Sequence, residues 1–161
     1  MNNINSLICH FGIEKSFQVI SKKKASFLVM VTILSVFNFC SCTDKYKDAI
    51  VMSVDFEWQP IDYGSKDNPE ILLANVPEGT KRFLVSLVDL NIKTYDHGCG
   101  YVNNDGSGTI RRGSIEGSYN GPAPWLPDMI HDYEITVEAY DENDKVIGIG
   151  KKVRKFLFGP K

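Results

Sequence analysis

The chain has 161 residues and a formal net charge of −2 at pH 7. So small a charge of either sign argues against nucleic acid, or a strongly acidic surface, as the partner. Beyond residue 41 the chain carries 14 basic and 19 acidic residues, a net charge of −5, so the remainder is mildly acidic.

Residues 1–41 have the features of a secretory signal with a long n-region. Three lysines precede the apolar run Ala25–Phe39, which has signal-peptide length and is too short to span a bilayer. The small residue Ser41 stands directly before Cys42, as in a bacterial lipobox. We therefore expect an acylated Cys42 and a lipid-anchored protein of the cell envelope. The alternatives are a plain secretory signal and a single membrane anchor.

The next segments predict a tether followed by short strands. Residues 42–52 are predicted to be a polar tether. Ser53–Trp58 alternates polar and apolar residues, which is typical of a half-buried strand, and Pro60 ends it. Ile71–Val76 is predicted to be a second strand, which stops at a Pro-Gly turn.

Arg82–Val88 is almost continuously apolar, which indicates a central strand buried on both faces. Run length alone leaves a buried helix open. Asp89 ends the run, either as a solvent-facing cap or as a group directed into a pocket at the sheet edge.

Residues 90–118 show little periodicity and are predicted to be irregular. This segment contains His97 and Cys99. Cys9 and Cys40 would leave with the signal and Cys42 would carry lipid, so we expect no disulfide and an incidental or structural thiol at Cys99.

Residues 120–140 join a stiff loop to a strand. Gly121 and the prolines at 122, 124 and 127 exclude a helix or central strand in the first half. From Asp132 the residues alternate polar and apolar, as in a half-buried strand. His131 lies at the junction, where a side chain loses little entropy on binding, and is a candidate site residue.

The remaining sequence predicts a hairpin. Asp141–Asp144 reads as the turn, and Lys145–Ile149 as a returning strand weakened by two glycines. Lys151–Phe158 is predicted to be a further edge strand whose lysines discourage pairing with other sheets. The many short strands and the lack of an amphipathic helix after Cys42 predict an all-β sandwich.

Six elements, taken in order, resemble the phosphatidylethanolamine-binding protein family (PEBP), and are closest to its bacterial Raf-kinase-inhibitor-like branch. They are Asn68–Pro69, Asn75–Lys81, the apolar strand ending at Asp89, His97, Tyr119–Pro124, and His131–Tyr133 with the strand that follows. The similarity covers about residues 53–156. It implies a PEBP-like antiparallel β-sandwich domain over residues 53–161, with a small pocket for anions such as phosphate head groups. It also implies a protein that needs no cofactor and is not an enzyme.

The resemblance also assigns site residues. Asp89 falls on the first aspartate of the family's Asp-Pro-Asp motif and His97 on its pocket histidine. His131 and Tyr133 fall on its His-Arg-Tyr motif. The family's pocket-lining loop falls on Gly121, Pro122 and Pro124.

Three departures from the family pattern are expected to weaken phosphate capture. Leu90-Asn91 replaces the Pro-Asp of the aspartate motif, and Asp132 replaces the arginine. The tryptophans that normally flank the first histidine are missing.

The chemistry of such a pocket follows from its residue types. A carboxylate fixes which imidazole nitrogen keeps the proton, so Asp89 would orient His97 or His131. The opposite imidazole edges were expected to present N–H groups, or a positive charge below a pKa of about 6.5. Two or three charge-assisted hydrogen bonds predict a dissociation constant nearer millimolar than nanomolar.

Two rival functions remain open at this stage. Two histidines and a carboxylate suit a metal site or metalloenzyme. The protein would otherwise be a protease or kinase inhibitor that uses Leu90–Gly108 as its contact loop.

Overall fold

The computed structural model describes residues 45–124 and 130–157, and all of them belong to one compact unit. The signal segment, Cys42 and Pro127 lie outside the described residues, so the predictions for them stay predictions. Within the two described ranges no helix is long and apolar enough to cross a membrane.

The described residues form strands, joined by turns and one 3₁₀ turn at Pro60–Asp62. The strands are β1 (Ile50–Val51), β2 (Ser53–Phe56), β3 (Ile71–Ala74), β4 (Arg82–Asp89), β5 (Asp96–Asn103), β6 (Thr109–Ile110), β7 (Glu116–Gly117), β8 (His131–Tyr140) and β9 (Val146–Phe156). The predicted all-β class is confirmed.

These strands make two sheets with an apolar core between them. The larger sheet has the order β1-β9-β8-β4-β5-β7, and the smaller has the order β2-β3-β6. All of these pairs are antiparallel except β1 with β9. The core contains apolar residues of both sheets, among them Val54, Phe56, Ile71, Val85, Ile135 and Val137.

β4 and β8 are central strands whose inward residues alternate with outward ones. In β4 the odd-numbered residues from Phe83 to Asp89 are buried, whereas Val88 on the other face is exposed. The prediction that both faces of this run are buried is therefore wrong, because only one face meets the second sheet. β8 has the predicted alternation, and it begins at His131.

The C-terminal hairpin differs from its prediction in one respect. Its second arm is the single strand β9 rather than two segments, and both glycines lie within it. A Cβ at Gly148 would lie 2.7 Å from Pro77, and one at Gly150 would lie 2.6 Å from Val54. Both glycines therefore let other segments pack closely on β9.

β5 is the main element that the sequence pattern missed. It lies in the segment predicted to be irregular, and its residues 97–100 are buried. Cys99 is disulfide-bonded, so the prediction of a thiol there is wrong. The other three cysteines of the chain lie outside the described residues.

Candidate functional site

Antiparallel pairing brings three strand ends to one edge of the larger sheet. β4 ends at Asp89, and its antiparallel partner β8 begins beside that end, with Asp89 opposite Tyr133. β5 begins on the other side of β4, where Val88 pairs with Asp96. The C-terminal end of β4 thus lies between the N-terminal ends of β5 and β8, and these ends carry His97 and His131.

Asp89 and His131 form a buried pair. Nδ1 of His131 lies 2.7 Å from one carboxylate oxygen of Asp89. The other oxygen accepts hydrogen bonds from the backbone N–H groups of Asn91 and Ile92, at 2.8 and 3.0 Å. Burial opposes ionisation of this carboxyl, but these donors outweigh it and hold the pKa of Asp89 below its usual value. Asp89 is therefore a carboxylate at neutral pH. Of the two alternatives that the sequence left for Asp89, the solvent-facing cap is excluded because the side chain is buried.

His97 is positioned by the loop that follows β7. Its Nδ1 lies 2.9 Å from the carbonyl oxygen of Asn120 and 3.2 Å from that of Gly121. The backbone N–H of Asn120 donates in turn to the carbonyl of His97, at 2.8 Å. Asp89 therefore orients only one of the two histidines, His131, and backbone carbonyls orient the other.

The predicted stiff loop is described as far as Pro124, and it is held closely against the turn at residues 62–65. Gly121 donates to the carbonyl of Ser65 at 2.7 Å, and the Pro122 carbonyl accepts from Gly64 at 2.8 Å. A Cβ at Gly121 would lie 2.5 Å from the carbonyl oxygen of Asp62. Only glycine fits there without a backbone shift, which explains this residue at this position.

A pocket of about 360 Å³ opens at this edge of the sheet. Its lining residues are Tyr63, Asp89, Ile92, Tyr95, His97, Ala123 and His131. Three of the predicted site residues line it. Gly121, Pro122 and Pro124 do not; Gly121 contacts His97, and the Pro124 carbonyl accepts a hydrogen bond from the Tyr63 hydroxyl.

Tyr133 supports the pocket from the core and is fully buried. Its ring meets the His97 ring edge-on at a centroid distance of 5.3 Å and lies 6.1 Å from the His131 ring. Its hydroxyl has no hydrogen-bond partner among the described residues. Burial, together with the nearby Asp89 carboxylate, raises the pKa of Tyr133, so the phenol stays neutral.

Two aromatic pocket residues, Tyr63 and Tyr95, were missed by the sequence reasoning. The Tyr95 ring packs on His97 at a centroid distance of 4.7 Å, and its hydroxyl accepts a hydrogen bond from the Asn120 side chain. Tyrosines thus supply aromatic walls although the family's tryptophans are missing. The available signal was the position of Tyr95, two residues before the pocket histidine.

The hydrogen bonds of the two histidines fix their tautomers. Carbonyl and carboxylate oxygens only accept, so Nδ1 carries the hydrogen in both rings. In a neutral ring Nε2 is then an acceptor with a lone pair, and neither Nε2 has a partner among the described residues. The expectation that neutral rings present N–H groups to a ligand is therefore wrong.

The same arrangement bears on metal binding. Asp89 uses both oxygens as hydrogen-bond acceptors, so it orients His131 and is not free to join the two histidines as a third ligand. Residues 45–124 and 130–157 contain no group of three or more His, Cys, Asp or Glu side chains placed to hold a metal ion.

The fold and this edge pocket define a β-sandwich protein with a small, histidine-lined cavity. No protein-family model matches the sequence, and no curated protein matches it. Several solved structures do match, among them the following two.

Escherichia coli YbcL, described as a new member of the mammalian PEBP family, matches with a TM-score of 0.51 and 15% identity, over 68% of this chain and 99% of YbcL. A putative PEBP homolog, CT736 from Chlamydia trachomatis, matches with a TM-score of 0.46 and 16% identity, over 68% of this chain and 97% of CT736. The likeness to YbcL shows that this chain has a PEBP-like fold. The fold that the sequence resemblance implied is thus confirmed.

Proposed function

We propose that this protein is a membrane-tethered, non-catalytic binding protein that holds a small anion or phosphate head group in the pocket at the end of β4. The observation that carries the proposal is the convergence of Asp89, His97 and His131 on one cavity. Each imidazole is fixed through Nδ1, and the remaining ring nitrogen has no partner within residues 45–124 and 130–157. Fixed polar groups in an aromatic-lined cavity are typical of a ligand site.

The geometry favours binding over the two rivals. The metal site would need Asp89 as a ligand, but Asp89 is occupied by His131 and two backbone N–H groups. The inhibitor proposal used Leu90–Gly108 as a contact loop, yet the middle of that segment, Asp96–Asn103, is the internal strand β5. Only its ends remain as exposed turns.

Calorimetric titration of the purified chain with inorganic phosphate and phosphoethanolamine tests the proposal. We expect a dissociation constant in the millimolar range at mildly acidic pH, and a loss of at least tenfold on His131→Ala, because one charge-assisted hydrogen bond is removed. Lys152→Ala, on β9, is the matched control and should bind as the wild type does. Equal binding by wild type and His131→Ala would contradict the proposed pocket.

The start of the described chain is held away from the pocket. Lys45 and Tyr46 hold it to Glu138, which lies seven residues along β8 from His131. At about 3.3 Å per residue, the pocket is roughly 23 Å from that contact. Cys42 is three residues before Lys45, a reach of at most roughly 11 Å. A lipid on Cys42 would therefore attach to the chain nearer to Glu138 than to the pocket.

The anchor itself has a direct test. Bacteria expressing the chain and fed a labelled fatty acid should incorporate label into the wild type and not into Cys42→Ser. Mass spectrometry of the mature protein checks the same point, because lipidation adds acyl chains to an N-terminal Cys42. A mature chain that begins before Cys42 and carries no acyl group would contradict lipidation at Cys42.

A further inference from the structure

The two fixed tautomers determine what ligand the pocket accepts. With both rings neutral, the pocket offers two lone pairs at Nε2 and one negative charge at Asp89. No Lys or Arg side chain lines the pocket formed by the described residues. An anion without a proton would therefore meet two acceptors and a carboxylate, which repel it, and a neutral donor such as the Tyr95 hydroxyl does not offset that charge.

We propose that the pocket binds an oxyanion only together with a proton, and that it prefers phosphate or a phosphate monoester, which can carry that proton itself. The proposal rests on the proposed function of the pocket. In the bound state either an imidazolium donates from Nε2 to the anion, or a P–OH group donates to a neutral Nε2. Both arrangements place one hydrogen between Nε2 and the ligand, whereas Nε2 of a neutral ring carries no hydrogen by itself.

The groups that face each imidazole can be named from the contacts. Asp89 faces His131 from β4 as a carboxylate that accepts from Nδ1. Tyr133 faces both histidines from β8, and its phenol stays neutral. Tyr95 packs on His97, which also meets the backbone carbonyls of residues 120 and 121. These contacts bring no cationic side chain of the described residues to either ring.

Sulfate and phosphate separate the two sources of the proton. Sulfate carries no proton between about pH 5 and 8, so it binds only when an imidazole supplies the hydrogen. Phosphate and its monoesters titrate near neutrality and can bring the proton themselves. Phosphate binding should therefore persist to higher pH than sulfate binding.

Calorimetry of the purified full chain with each anion, at about pH 5.5 and 8.0 and in buffers of different ionisation enthalpy, measures affinity and proton uptake together. For sulfate we expect uptake of about one proton or more, and a dissociation constant that rises about tenfold per pH unit for each proton. For phosphate the rise should be smaller over the same range.

Variants add a readout that a purely structural role would not change. His131→Gln places a neutral amide where Nε2 stood, and that amide donates without titrating. Sulfate binding to His131→Gln should take up about one proton fewer than binding to the wild type. Glu138→Gln, at the other end of β8, is the control and should keep the wild-type proton uptake.

The outcomes distinguish this inference from the function on which it rests. Sulfate that binds with the same affinity at both pH values and without proton uptake would overturn the inference and leave the anion pocket standing. Failure of both anions to bind at either pH would overturn the proposed function itself. The wild-type measurement decides between these results even if a variant does not fold.

Discussion

A buried carboxylate lies near each end of β8, and the two differ in whether all the polar atoms around them have hydrogen-bond partners. At the far end the Glu138 carboxylate accepts hydrogen bonds from Lys45, Tyr46 and Tyr140, and each donor is a side chain of the chain itself. At the near end the Asp89 carboxylate fixes His131 through Nδ1. Nε2 of that ring has no hydrogen-bond partner among the described residues, and the residue lines the pocket. A carboxylate cluster with all its donors in place stabilises the fold. A fixed ring with one unused nitrogen is equipped for a ligand.

The largest expected effect lies at the Glu138 end. Glu138→Ala leaves Lys45 and the two tyrosine hydroxyls without their acceptor, and the carboxylate side chain is only 10% exposed. We expect a loss of about 2–4 kcal/mol in the free energy of unfolding, measured by urea denaturation. Phosphate affinity of the folded variant should not change. A loss of phosphate binding in the folded protein would show that the two ends of β8 are not independent.

Acid should destabilise both ends. The pKa of Glu138 lies below its ordinary value because donors from Lys45, Tyr140 and Tyr46 outweigh the effect of burial, and the pKa of Asp89 is lowered in the same sense. Both carboxylates therefore contribute stability that is complete above the unfolded-state values of 4.5 and 3.8 and is lost as pH falls through the lower folded-state values.

Urea denaturation between about pH 6 and pH 2.5 measures this loss. Asp89→Asn and Glu138→Gln should each lose less stability over that range than the wild type does. An equally steep loss in the double variant would place the acid sensitivity elsewhere in the molecule.

Asp89→Asn should also change the pH at which anions bind. The amide keeps the shape of the carboxylate but removes the negative charge that lies against the His131 ring. The midpoint of sulfate binding should therefore differ from that of the wild type, as measured by calorimetry over a pH series. An unchanged midpoint would mean that His131 does not carry the proton taken up.

The smallest expected effect concerns the aromatic wall. Tyr95→Leu removes the ring that packs on His97 and the acceptor of the Asn120 side chain, but it leaves the hydrogen bonds of His97 Nδ1. An aromatic contact of this kind contributes about 0.5–1.5 kcal/mol, so phosphate affinity should fall about two- to tenfold. The matched change Tyr101→Leu, on β5 and outside the pocket lining, should leave affinity unchanged.

Much of the sheet was predictable from local sequence patterns, which are alternation in β8 and an apolar run in β4. β8 and β4 follow from their own residues, and the fold follows from the order of six short elements. β5 was missed because its glycines hide the alternation. A Cβ at Gly98 would lie 2.1 Å from the Ser118 carbonyl, and one at Gly100 would lie 2.4 Å from that of Glu116. These glycines are required by the close approach of a neighbouring segment, and no local sequence pattern reveals that approach.

The residues of the candidate site were predictable from the sequence. The nitrogen that carries the hydrogen in each imidazole was not. The resemblance named Asp89, His97 and His131, and the antiparallel pairing places all three at one sheet edge. Which imidazole nitrogen donates depends on the carbonyls of residues 120 and 121 and on the rotation of one carboxylate. Those details arise from loop packing, as does the position of Tyr63. They decide whether the pocket offers a donor or a lone pair.

Long-range ¹H–¹⁵N NMR of the histidine side chains tests the central claim most directly. The chain has three histidines, and His97 and His131 are the two that lie among the described residues. At about pH 8, His97 and His131 should both show hydrogen on Nδ1 and an unprotonated Nε2, and sulfate added at lower pH should protonate Nε2 in at least one of them. An Nε2–H tautomer at either ring, or rings that do not respond to the anion, would contradict the account.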